Sequence, residues 1–173
     1  MSGARSSSPQ ARAVRLDRAA AGTLLLSLGL VAGVAFWGAA VNAGEVDGWY
    51  AAADKPPGTP PGWVFGPVWT TLYTAMAVAA WLVWRSSGWR SSAGALGLYG
   101  VQLALNAAWT PVFFGAEQLV AGLAVIVALD IAIAATAAAF RRHSPPAALL
   151  LVPYLAWALY ATYLNAGIAL LNT

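Results

Sequence analysis

The sequence predicts an all-α integral membrane protein, a bundle of five transmembrane helices in one domain. Of its 173 residues, 60% are hydrophobic and only 9% are charged, whereas soluble domains carry about 25% charged residues. The chain also contains five apolar segments, each close to the roughly 20 residues that a helix needs to cross the hydrocarbon core. Their approximate limits are 19–41, 63–84, 93–115, 118–140 and 146–171.

Polar or helix-breaking sequences separate the five segments. A proline-rich loop over 42–62 follows the first, "RSSGWRSS" follows the second, "GAE" the third and "RRHSPP" the fourth. Clusters of Gly, Pro, Ser and charged residues end helices. Because all connections but the first are short, consecutive helices are predicted to be antiparallel neighbours.

The basic residues lie on one side of this five-helix topology, and only Lys55 lies on the other. By the positive-inside rule we expect a cytoplasmic N-terminus, with the proline-rich loop and the C-terminus external. A bacterial inner membrane fits this bias, and an outer membrane stays open. The basic pI follows from this topology, so no nucleic-acid partner is predicted.

The first 18 residues, "MSGARSSSPQARAVRLDR", are polar and rich in Arg and Ser. They fit a transit segment, but a disordered basic arm over 1–18 against anionic membrane lipid is the simpler interpretation. The transmembrane domain is then expected over 19–173.

The composition excludes several kinds of site. No cysteine is present, which removes disulfides, thiolate catalysis and cysteine-ligated metals. The lone histidine, His143, lies in the basic "RRHSPP" connection and is predicted to be a solvated loop residue. No metal site, no required cofactor and no conventional catalytic centre are therefore predicted.

Four polar residues fall within the predicted spans. Gln102 and Asn106 are four apart, so they share one helix face. These two and Asn165 fit either interhelical hydrogen bonds or the polar end of a cavity. Asp130, near the middle of the fourth segment, is either a protonated, hydrogen-bonded carboxyl or part of a proton or cation path.

Tryptophan accompanies each proline that lies in or near a span. Proline removes a backbone donor, which a membrane helix tolerates when neighbouring groups satisfy the freed carbonyl. Bent helices with aromatic faces are typical of an aromatic-walled pocket and equally of anchoring at the membrane interface. The pairs are Trp63 and Trp69 with Pro67, Trp109 with Pro111, and Trp157 with Pro153.

Small residues recur four apart, as in Gly29 and Gly33, and in Gly100, Ala104 and Ala108. Such spacing permits close approach of helices, either within the monomer or across a homodimer interface.

Three blocks of the chain resemble the translocator protein / tryptophan-rich sensory protein family. They are "WYAAADKPPGTPPGWVFGPVWTTLY", "GLYGVQLALNAAWTPVFFGA" and "PYLAWALYATYLN", which occur in the family's order and spacing. The resemblance covers about residues 20–172. It implies five transmembrane helices, a pocket beneath the first loop, a homodimer, and binding of porphyrins and, in some members, sterols or isoquinoline-type synthetic ligands.

The same resemblance implies roles for individual residues. The proline-rich loop becomes a stiff lid, because proline lowers the entropy lost on closing. Trp69 and Trp157 match two tryptophans proposed to react with photoexcited porphyrin. The pocket-lining positions are Trp69, Tyr73, Asn106, Trp109, Trp157 and Ala161, and the lid positions are Trp49, Lys55, Pro60, Pro61 and Trp63.

The chain departs from the family's pattern at two points. Gly58 stands where an aromatic residue is frequent, which predicts one missing lid contact. No basic residue follows Tyr163, so sterol binding through the tyrosine-containing motif of the last helix is not expected.

Three functions fit these observations. The first is a membrane-embedded sensor that binds porphyrin and regulates tetrapyrrole or stress responses, with membrane lipid and a second copy as partners. The second is an enzyme that degrades porphyrin in light through Trp69 and Trp157. The third is a porphyrin or sterol transporter, which the absence of an inverted repeat disfavours.

Overall fold

The structure, a computed structural model, describes residues 9–42 and 48–173, with side chains from Arg18 onward. No strand occurs in these ranges. The elements, in chain order, are α1 (Pro9–Asn42), α2 (Trp49–Ala52), a 3₁₀ turn (Gly62–Val64), α3 (Phe65–Thr110), a π-helical turn (Pro111–Gly115), α4 (Leu119–Arg141), α5 (Pro145–Leu150) and α6 (Val152–Asn172). The all-helical fold class is therefore confirmed.

Four helical stretches are long and apolar enough to cross a membrane, and the second of them contains two passes. That stretch, Gly62–Gly115, has 54 residues and would span about 80 Å at 1.5 Å per residue, far more than the roughly 30 Å of a bilayer core. The other three are Arg18–Asn42, Leu119–Arg141 and Pro145–Asn172.

Gly88 divides α3 into two antiparallel arms. Its backbone angles, φ 69° and ψ 171°, lie in a region that glycine alone adopts readily. Tyr73 pairs with Asn106 and Met76 with Gln102, so partners lie symmetrically about the break. The predicted "RSSGWRSS" connection is thus helical on both sides of Gly88. With the two arms counted separately, the described residues contain five apolar helical segments.

The first helix is longer than predicted. α1 begins at Pro9, so the prediction of a disordered arm is wrong for residues 9–18. The sequence there, "PQARAVRLDR", consists mostly of good helix formers, and proline is well tolerated in a first turn. Residues 1–8 of the arm and 43–47 of the proline-rich loop lie outside the described residues.

The three prolines noted in the sequence lie at helix ends. Pro67 is the third residue of α3 and Pro153 the second of α6, where a missing backbone donor breaks no helical hydrogen bond. Pro111 begins the π-helical turn, which the Ala116 amide closes by donating to the Pro111 carbonyl at 2.8 Å. A short turn at Leu151 also separates α5 from α6 within the predicted last span.

The helices pack around α3. Its arms contact α1 on one side and α4 and α5 on the other, and α4 packs against α6. Met76, Ile133, Phe140 and Tyr154 are fully buried in this core. From Arg18 onward, α1 buries only Val31, so it is the least buried of the long helices over the described residues.

The small residues at four-residue spacing do not mediate close helix contacts within the monomer. A methyl group added at Gly29, Gly33 or Gly100 would meet nothing within 4 Å. Ala104 and Ala108 are exposed. These residues therefore face outward, and the predicted homodimer stays a prediction.

Candidate ligand-binding cavity

A cavity of about 590 Å³ lies between α1, both arms of α3, α6 and the segment that leads into α3. Small-molecule sites have volumes of about 300–1,000 Å³, so this cavity is large enough for a ligand. The six residues predicted to line a pocket come together in it. They are Trp69, Tyr73, Asn106, Trp109, Trp157 and Ala161.

Aromatic rings form one wall of the cavity. Trp69 stacks on Tyr73, with ring centroids 5.2 Å apart and planes inclined by 29°. Phe65, one turn earlier in α3, meets Trp157 of α6 edge to face at 5.9 Å. Such rings offer large flat surfaces with few rotatable bonds, which suits a flat apolar ligand.

Asn106 is a rigid polar point on the cavity wall. The Tyr73 hydroxyl donates to Asn106 Oδ1 at 2.7 Å, and Asn106 Nδ2 donates to the Tyr154 hydroxyl at 3.1 Å. Both ends of the amide are therefore engaged, although only 4% of the residue is exposed. Asn106 thus both joins helices and lines a cavity, the two roles that its sequence left open.

Asn165 does not line the cavity but fixes one residue that does. Its Oδ1 accepts from Trp109 Nε1 at 3.3 Å, and its Nδ2 donates to the Leu119 carbonyl at 2.9 Å. Trp109 also stacks on Phe113, at 5.2 Å and 13°. The indole of Trp109 is therefore held from two directions.

Gln102 and Asp130 lie outside the cavity lining. Gln102 Nε2 contacts the Met76 sulfur at 4.0 Å, which is a weak interaction. Asp130 is buried between α4 and α6 and accepts from the Thr162 hydroxyl at 2.7 Å. Its position matches a hydrogen-bonded carboxyl that joins two helices.

His143 is held more firmly than a solvated loop residue would be. Its Nδ1 lies 3.0 Å from Ser87 Oγ and the residue is half-buried, which joins the α4–α5 connection to the Gly88 break. We call this end of the bundle the arginine end, because the exposed Arg85, Arg90, Arg141 and Arg142 flank these two elements. Among the described residues, no group of three or more His, Asp or Glu side chains is placed to hold a metal ion.

The predicted lid residues surround the cavity without lining it. Trp49 Nε1 donates to the Phe114 carbonyl at 2.9 Å. Lys55 Nζ donates to two backbone carbonyls of its own segment and lies 5.0 Å from the Tyr50 ring centroid. The side chain of Trp63 is 75% exposed. Pro60 and Pro61 also lie outside the cavity lining. The residues from this part of the chain that do line the cavity are Tyr50 and Gly62.

A strap formed by residues 54–58 fastens the lid to α6. The Tyr160 hydroxyl donates to the Gly58 carbonyl at 2.6 Å, and the Tyr163 hydroxyl donates to the Pro57 carbonyl at 3.0 Å. Asn172 exchanges two hydrogen bonds with the Asp54 backbone, at 3.0 and 2.9 Å. We call this end of the bundle the lid end.

Two glycines make the strap's geometry feasible. Gly58 has φ +86°, a conformation that side chains disfavour, so glycine there meets a backbone requirement. At Gly167, an added Cβ would lie 2.6 Å from the ring of Pro56. The ring of Pro56 therefore sits directly against the backbone of α6.

The sequence did not predict the cavity wall formed by α1 or part of the wall formed by α3. Small apolar residues on a membrane helix look alike whether they face lipid or a cavity, so α1 gave no signal. Thr70 and Thr74 did carry a sequence signal. With Gly66 they form a row of small residues spaced four apart on one face of the helix. The missed α1 residues are Leu28, Val31, Ala32, Ala35, Gly38, Ala39 and Asn42.

The fold and the cavity together define a multi-pass integral membrane protein whose helices enclose an aromatic-walled chamber. Residues 26–171 match the TspO/MBR family. The chain is 46% identical over 145 residues to the translocator protein of Bos taurus, which covers 83% of each chain. It is 42% identical over 149 residues to the tryptophan-rich protein TspO of Archaeoglobus fulgidus, covering 86% of this chain and 96% of that protein.

A third relative is the tryptophan-rich sensory protein of Cereibacter sphaeroides, 45% identical over 119 residues, or 69% of this chain and 73% of that protein. The chain therefore belongs to the TspO/MBR family, which confirms the resemblance drawn from its three sequence blocks.

Proposed function

We propose that this protein is a membrane-embedded binding protein and sensor for porphyrins and related flat hydrophobic ligands, and that it regulates tetrapyrrole or stress responses. The observation that carries the proposal is the cavity itself, whose volume is about 590 Å³ and whose walls include Trp69, Tyr73, Trp109 and Trp157. Burial of a flat macrocycle between such rings is favoured by stacking and by removal of apolar surface from water.

The ligand needs few polar contacts in this site. The side-chain amide of Asn106 is already hydrogen-bonded to Tyr73 and Tyr154, and Trp109 Nε1 donates to Asn165. The cavity therefore selects by shape and flatness more than by hydrogen bonding. The lone His143 lies at the arginine end and not in the cavity lining, so free-base porphyrin should bind at least as well as haem.

We propose that the lid end faces outward and the arginine end the cytoplasm. Arg85, Arg90, Arg141 and Arg142 are exposed and flank Gly88 and the α4–α5 connection, the two elements joined by His143. Basic residues favour the cytoplasmic side of a membrane. A homodimer is part of the same proposal, since the outward Gly and Ala residues offer a surface for close helix contact.

The direct test is quenching of tryptophan fluorescence in nanodiscs, titrated with protoporphyrin in the dark. Saturable quenching in the low-micromolar range is expected. Ala161→Phe should weaken it because the new ring occupies cavity volume, whereas Ala156→Phe, on the exposed side of the same helix, should not. Unsaturable quenching, or equal effects of the two variants, would contradict the proposal.

Light-dependent porphyrin degradation is a second candidate, favoured because Trp69 and Trp157 line the same cavity. Illumination of the complex should then bleach porphyrin absorbance, and Trp69→Phe with Trp157→Phe should abolish the loss. Trp63→Phe is the matched control, since this tryptophan is exposed and outside the lining. Bleaching that survives the double substitution would exclude these tryptophans as the reactive groups.

A further inference from the structure

We propose that the ligand enters the cavity sideways from the hydrocarbon of the bilayer, through a slot between α1 and the first arm of α3, and not from water past the lid. This inference rests on the proposed function and names the ligand's source, a molecule already dissolved in the membrane. The slot is lined by small residues, namely Ala32, Ala35 and Ala39 on α1 and Gly66, Thr70 and Thr74 on α3.

Several residues of the slot line the cavity and are also exposed, namely Gly66, Thr70 and Thr74 on α3 and Ala32 and Ala39 on α1. They lie in the membrane-spanning helices, so the medium beside the slot is lipid. The proposed opening is therefore lateral.

The attachment of α1 explains why this opening exists. Towards the arginine end, Ser27 Oγ donates to the Ala77 carbonyl at 3.0 Å and Trp81 Nε1 to the Ala20 carbonyl at 2.8 Å. These bonds hold α1 to the first arm of α3.

Towards the lid end, α1 is attached to a different partner. Trp37 Nε1 donates to the Ala107 carbonyl at 3.2 Å, and Val41 lies beside Gly115. Both contacts are with the second arm of α3 or the turn that follows it. α1 thus crosses from one arm to the other and leaves the lid-end half of the first arm uncovered.

The strap, in comparison, is firmly fastened. It carries four hydrogen bonds to α6, and Pro56 is buried against Gly167. Entry between the strap and α6 would have to break these contacts. No hydrogen bond joins α1 to residues 66–74 among the described residues, so sideways entry breaks none.

The chemistry of the slot suits a flat apolar molecule that passes edge-on. Thr70 Oγ1 donates to the Gly66 carbonyl at 2.9 Å and Thr74 Oγ1 to the Thr70 carbonyl at 2.8 Å. Their hydroxyl protons are therefore already bonded, and a ligand leaving lipid meets methyl groups and glycine rather than unpaired donors.

The test is the kinetics of protoporphyrin binding to the full chain in nanodiscs, followed by stopped-flow fluorescence. Thr74→Phe narrows the slot and should slow association about tenfold for a modestly raised barrier. Because Thr74 also lines the cavity, the association rate is the readout, and not the dissociation constant. Thr71→Phe, exposed on the same helix but outside the lining, should leave that rate unchanged.

A second experiment releases the strap and tests entry past the lid. The double variant Tyr160→Phe and Tyr163→Phe removes two strap bonds and should leave the association rate unchanged. A large acceleration there, or an unchanged association rate in Thr74→Phe, would overturn the lateral route. If Thr74→Phe does not fold, Ala39→Phe narrows the slot from α1. Absence of saturable binding to the unsubstituted chain would instead overturn the proposed function, and the route with it.

Discussion

The two sides of the cavity, α6 with its strap and α1, are both built from apolar sequence but differ in how they are held. α6 buries Tyr154, Ala158, Leu164 and Ile168 and anchors the lid through hydroxyl and amide groups. From Arg18 onward, α1 buries only Val31, and the described hydrogen bonds that attach it to α3 are widely spaced along the helix. Apolar composition places a helix in the membrane, but the polar contacts between helices decide which wall is rigid.

The largest expected effect is at the rigid core next to the cavity. Asn106→Leu removes two hydrogen bonds and leaves the hydroxyls of Tyr73 and Tyr154 unpaired in a buried site. Each unpaired buried group costs about 1–3 kcal/mol, so we expect a loss of roughly 2–6 kcal/mol in unfolding free energy. Denaturant unfolding in detergent micelles measures it.

The matched control is Tyr73→Phe, which removes one of these bonds at its own hydroxyl. It leaves only Asn106 Oδ1 unpaired and should cost about 1–3 kcal/mol, roughly half the loss expected for Asn106→Leu. Equal stability losses in the two variants would show that Asn106 does not organise this polar contact.

A smaller effect is expected where the strap meets α6. Gly167→Ala places a methyl group where Pro56 now lies, and overpacking of this kind costs about 1–3 kcal/mol. The strap should shift outward and hydrogen exchange should accelerate at the amides of residues 48–59, with ligand affinity little changed.

Gly94→Ala is the control for the helix-propensity effect of the substitution, because nothing lies within 4 Å of an added Cβ there. If the strap exchanges at the same rate in both variants, Pro56 is not seated against α6.

The smallest effect is expected on the loosely held side. Ser27→Ala removes one hydrogen bond between α1 and Ala77, for a cost of about 0.6 kcal/mol. The slot should widen, and protoporphyrin should associate somewhat faster in stopped-flow measurements. Thr23→Ala is the control, since the hydroxyl of Thr23 bonds within α1 itself. Slower association in Ser27→Ala would contradict the slot.

The sequence predicted the five apolar segments and the six cavity residues because hydropathy and the three family-like blocks both report directly on them. It placed the chain reversal at "RSSGWRSS" but not its form, since serine and arginine around a glycine indicate a loop of several residues, whereas both helices continue up to Gly88. Nor did it predict the strap, whose pairs join Tyr160 to Gly58 and Tyr163 to Pro57 across more than 100 residues. Contacts of that kind arise from packing and carry no local pattern.

One measurement tests the contrast between the two walls most directly: hydrogen exchange in nanodiscs with and without protoporphyrin. The account predicts that ligand slows exchange in residues 28–42 of α1, because the loosely held wall closes on it. Exchange in the strap, residues 54–58, should not change. Protection of the strap with no change in α1 would show that the lid, and not α1, is the wall that moves.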